Sequence, residues 1–127
     1  MPRIDRDPGV LSGRTMKMVQ FVEATEIILA IADDDDLRGA VVTLAVHAGI
    51  AASDVICLRR LGYYWQSANH HEAIEHLRRA DAGSAGHLST LLALKTRAGY
   101  GHGAMSSDSV TRSTRAMQHL AAAVRAA

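Results

Sequence analysis

Five side chains with metal or acid–base chemistry crowd one short stretch: His70, His71, Glu72, Glu75 and His76. On a helix, His71 with Glu75 and Glu72 with His76 lie one turn apart, a spacing that suits a zinc or nickel ion. No further ligands are evident, so the stretch reads as a polar, exposed helix face with acid near its start, and no metal is expected. Asp33 to Asp36 form an unbroken acidic run. Cation-binding loops space their oxygen ligands with intervening residues and a glycine, so this run reads as a solvated turn placing negative charge at a helix start. Thr43, His47, Ala51 and Asp54 fall on one line, because helix positions seven apart differ by only about 20°. His47 and Asp54 would be separated by roughly 10 Å along that helix. They are expected as satisfied buried polar groups, or as the lining of a ligand cavity. Tyr63, Tyr64 and Trp65 hold three of the five aromatics. In a loop between helices they would lid the core, with stacking on nucleic-acid bases as the alternative. The single Cys57 cannot form an internal disulfide and sits in an apolar stretch as a small hydrophobe.

These groups need elements to position them. The chain has 127 residues, room for one domain. Hydrophobic residues make up 48% but aromatics only 4%, so the core must be built from Ala, Leu, Val, Ile and Met, a composition suited to closely packed helices. Both prolines, Pro2 and Pro8, lie in the first eight positions and leave the remainder free of the strongest helix breaker. Met18, Phe21, Val22, Thr25, Ile28 and Leu29 predict a first helix over 12–32. A second, over 36–61, is the most apolar, and its small residues make it the central one. Asn69 caps a third over 70–80, Leu88, Leu91, Leu92 and Lys95 mark a fourth running into Gly99, and Ser106 or Ser107 caps the last. The expected fold is all-α, an up-and-down bundle of four to five helices over 12–127, with residues 1–11 a flexible N-terminus. No signal peptide or membrane span is expected, and the expected location is cytoplasmic. The net charge is +1, but from residue 82 onward Lys95, Arg97, Arg112, Arg115 and Arg125 face Asp108 alone. That basic end suits a polyanion or an acidic partner surface.

Three segments, read in this order and spacing, carry a resemblance: Val41 to Asp54, His71 to Leu77, and Leu94-Lys95-Thr96-Arg97-Ala98-Gly99-Tyr100. Over about residues 18–124 the chain resembles the HEPN superfamily, small helical-bundle proteins of prokaryotes often linked to toxin–antitoxin or stress systems. The resemblance implies a homodimer joined near its last long helices, a nucleotidyltransferase-like antitoxin as partner, and RNA as target. It also implies a metal-independent endoribonuclease motif of Arg, four to six residues, then His, which Arg97 and His102 match. The implied roles are phosphate binding by Arg97 and proton transfer by His102, chemistry that guanidinium and imidazole suit. Lys95 and Tyr100, in the same segment, are the accompanying binding candidates, with His47 and Asp54 as a second set. No cofactor is implied. Residues five apart on a continuous helix point about 140° away from each other. The pair therefore requires the helix to end near Gly99 and the chain to turn, or completion across a dimer axis. The alternatives are a non-catalytic dimeric protein-interaction module and a small-ligand binder.

Overall fold

The computed structural model describes residues 3–32, 36–66, 69–99 and 101–127. In chain order it contains strand β1 (Arg3–Asp5), helices α1 (Pro8–Ile31) and α2 (Arg38–Leu61), strand β2 (Tyr63–Trp65), α3 (His70–Ala80), a 3-10 turn (Ala82–Ser84), α4 (Ala85–Gly99) and α5 (Ser107–Ala126). Among the described residues the fold is thus a mostly helical bundle of five helices with one small sheet.

The N-terminal segment differs from the flexible terminus expected over residues 1–11. Asp7 accepts a hydrogen bond from the Val10 amide at 2.8 Å, and Pro8 supplies a ready-made first helical position, so α1 starts four residues early. Residues 3–5 pair antiparallel with residues 63–65, Ile4 opposite Tyr64. The expected aromatic loop is therefore a short strand. Three residues are too few to produce a readable alternation, which is why the pairing left no trace in the sequence pattern.

Helices α3 and α5 begin at the caps expected for them, whereas α2 begins at Arg38 behind Leu37, whose φ of 63° is left-handed and whose side chain makes no cap bond, so its cap is not an aspartate of the acidic run. The Asn69 side chain accepts from the Glu72 amide, Ser106 from the Ser109 amide, and α2 stops at Gly62, whose φ of 87° favours a residue without a Cβ. Apart from Asp36, the acidic run lies outside the described residues.

Helix α2 is the hub: α1, α4 and α5 all pack on it, and α3 fills the space between α2 and α4. Its small residues explain this. A Cβ at Gly49 would collide with Leu91 of α4 and press on Leu120 of α5, so the two helices close directly over that glycine. Val42, Val55, Ile56, Leu58, Leu77, Leu88, Leu91, Met117 and Leu120 are almost fully buried around it. Among the described helices α2 is the one long and apolar enough to cross a membrane, and 72% of its most apolar window is buried inside the bundle.

Candidate functional site

One polar cleft opens among the hydrophobic layers, enclosing about 240 Å³ between α1, α2, β2, α3 and α4. Ile50, Ala73, Leu88 and Leu92 form its apolar walls; Arg14, Ser53, Asp54, Tyr64, Trp65, Gln66, His70 and Lys95 bring polar groups to it. The arrangement follows from the helix faces. Arg14 continues the inward line of α1 one turn before Met18, while Asp54 continues the stripe of α2, and the two helices press these charges together.

Arg14 donates from Nε at 3.1 Å and from Nη2 at 2.8 Å, both to Oδ2 of Asp54. Oδ1 receives no hydrogen bond from the described residues. The Asp54 side chain is 15% exposed, and this burial pushes its carboxyl up to about 7 despite the Arg14 guanidinium, which pulls the other way. A carboxyl poised near neutrality in a polar cleft is a frequent mark of a functional group. The same environment acts on its neighbours. Burial, then the Asp54 charge, raises the Tyr64 phenol, and burial pushes the Cys57 thiol up to about 12, leaving it an inert hydrophobe as expected.

The aromatic strand forms one wall. Arg3 lies 4.2 Å over the Tyr63 ring, Arg79 donates to the Tyr63 hydroxyl at 2.6 Å, and Trp65 stacks on His76 at 4.9 Å. Trp65 Nε1 and His76 Nδ1 are buried without hydrogen-bond partners. Burial lowers His76, with the nearby Arg79 charge adding to the effect.

The sequence-derived candidates divide. Asp54 and Lys95 line the cleft together. His47 does not join them. It is exposed rather than buried, with one face on the Phe21 ring at 5.4 Å, and this partial burial followed by the Lys95 charge lowers its imidazole. The buried environment expected for His47 fails because α1 covers only one side of the stripe at that level. Tyr100 lies outside the described residues.

Arg97 and His102 stand exposed at the far end of α4. The helix does end at Gly99, and the chain folds back: the Gly101 amide bonds to the Thr96 carbonyl at 3.1 Å. A Cβ at Gly101 would stand 2.8 Å from the Arg97 carbonyl oxygen, so the turn needs glycine there. Consecutive Cα atoms are about 3.8 Å apart, so His102 stays within one residue's reach of a glycine held against Arg97. Buried Met105, whose carbonyl accepts from Arg38 at 3.4 Å, anchors the segment beyond.

Among the described residues no group of three or more His, Cys, Asp or Glu converges as a metal site would. In the cluster on α3, Glu75 pairs with Arg78, His76 stacks on Trp65, and His70 turns toward the cleft. The cleft constellation of Arg14, Asp54, Tyr64 and Lys95 is what the sequence reading missed as a unit. One signal was present: Arg14 falls on the buried line of α1, and a charge there needs an opposite charge on the helix it faces.

Comparison of the chain with known protein families, with curated proteins and with solved structures finds no match.

Proposed function

We propose that this chain is a HEPN-like helical bundle whose main task is recognition of a small polar ligand in the Asp54 cleft. The observation that carries this reading is the half-paired Asp54 carboxylate, held in a walled, partly apolar cavity that also receives Lys95. Concave sites with apolar walls and a few convergent polar groups are where proteins bind small molecules. Trp65, the only tryptophan, supplies a clean reporter from the cleft wall. Nitrogen-labelled protein titrated with a set of polar metabolites should show shifts centred on the Trp65 indole and the Ser53 amide. If every compound leaves these signals unmoved, or moves only residues 97–104, the reading is overturned.

A second reading, metal-independent RNA cleavage at Arg97 and His102, draws support from the turn at Gly101, which removes the opposed directions a continuous helix would impose. Its surface is open, so a phosphodiester there needs a second copy of the chain to wall it in. The apolar surface available to such a copy is the outer face of α1, where Met16, Val19, Ile27 and Ile31 are exposed, and not α4 or α5. In this reading the chain is a bacterial toxin or stress protein with an antitoxin partner. Cleavage of mixed RNA in chelator, lost in both Arg97→Ala and His102→Ala, supports it; intact RNA, or equal cleavage by both variants, removes it.

A further inference from the structure

The charged groups of the cleft are unevenly satisfied. Arg14 and Asp54 neutralise each other, but both Arg14 bonds fall on Oδ2, leaving Oδ1 free to accept. Lys95 reaches the cleft with no carboxylate partner among the described residues. Lys95 and the half-paired Asp54 thus line one cavity, together with Ile50, Leu88 and Leu92 as apolar wall.

Each simple ligand class leaves part of this unanswered. A plain organic anion satisfies Lys95 but sets a second negative charge near Asp54, whose own charge is already disfavoured by burial. A plain amine satisfies Oδ1 but brings a third cation beside Arg14 and Lys95. A molecule carrying both charges answers both groups and leaves the net charge of the cleft unchanged. We propose that the cleft binds a small zwitterion, an amino acid or related amine-bearing carboxylic acid with an apolar middle. Its acid end sits on Lys95, its ammonium donates to Oδ1 of Asp54, and its hydrocarbon lies on Ile50, Leu88 and Leu92. The inference rests on the cleft being the functional site, and it names the ligand class for that site. The cavity of about 240 Å³ suits a molecule of this size.

The test uses matched probes: leucine, aminopentanoate and aminohexanoate as zwitterions, hexanoate as the acid alone and hexylamine as the amine alone. Binding is followed by calorimetry and by the Trp65 indole signal. At least one zwitterion should bind about tenfold or more tightly than both single-charge probes. Asp54→Asn should bring that zwitterion down to the level of hexanoate, and Lys95→Met to the level of hexylamine, with circular dichroism confirming that both variants are folded. Equal binding of hexanoate and the zwitterions overturns the zwitterion assignment while leaving the cleft a ligand site. Silence of Trp65 toward the whole series also overturns it, and the broader metabolite titration then decides whether the cleft binds anything.

Discussion

Lys95 and Arg97 are two residues apart on α4 and live in different worlds. Lys95 is half-buried and reaches a cavity walled by four other elements, whereas Arg97 stands on open surface where the helix runs out. Two positions on a helix differ by about 200°, so one side chain inherits the bundle's interior and the other its solvent. The cleft has what binding requires: apolar walls and, among the described residues, an incompletely paired acid and a cation without a carboxylate partner. The turn has the residue types for phosphate chemistry, but both Arg97 and His102 stand exposed. Residue type alone ranks the turn first, and enclosure, on which the proposed reading rests, ranks the cleft first.

The contrast can be broken by substitution. Leu88 is 1% exposed and serves both core and cleft, so Leu88→Ala should lower unfolding free energy by about 3 kcal/mol in denaturant titration and weaken any cleft ligand. Arg14→Ala strands a mostly buried carboxylate. It should cost about 2 kcal/mol near pH 8 and clearly less near pH 5, where Asp54 takes up a proton. At the turn, Gly101→Ala pushes a methyl onto the Arg97 carbonyl and should cost about 1 kcal/mol, abolishing RNA cleavage if the pair acts there. Arg97→Ala and His102→Ala should each change stability by less than about 0.5 kcal/mol, since both side chains are exposed. A loss at the turn as large as that at Leu88 would erase the distinction between the two regions.

Acidity sharpens the comparison. Asp54 titrates near 7 in the fold and near 3.8 when unfolded. Between those values the folded chain retains a proton the unfolded chain has shed, so the contribution of Asp54 to stability falls as pH rises through that window. Asp54→Asn should flatten this part of the profile, measured by thermal unfolding from about pH 4 to about pH 8, and leave the variant at least as stable as the parent at the upper end.

Much of the scaffold was readable from the sequence. Asn69 and Ser106 marked boundaries because caps act locally, and the small residues of α2 identified the hub because close approach needs them. The apolar pattern from Met18 does not reach the start of α1, which is set by Asp7 and Pro8. The cleft was only half legible. Asp54 and Lys95 stood out as residues, but their joint cavity depends on Arg14 from 40 positions away and on an aromatic strand with no periodic signature. His47 was misjudged for a related reason: helix periodicity places a residue on a face but does not say how far the neighbouring helix extends over it.

The pairing of β1 with β2 has a mechanical side. Ile4 sits opposite Tyr64, and the Arg6 amide bonds to the Gly62 carbonyl, so residues 3–6 hold the aromatic wall like a drawstring. Trimming residues 3–6, or fusing a bulky tag against them, would slacken Trp65 before it disturbed any helix. Its fluorescence would shift toward the red while the helical circular dichroism stayed intact, so the way the leading end is handled at the bench determines whether the cleft is observed closed or gaping.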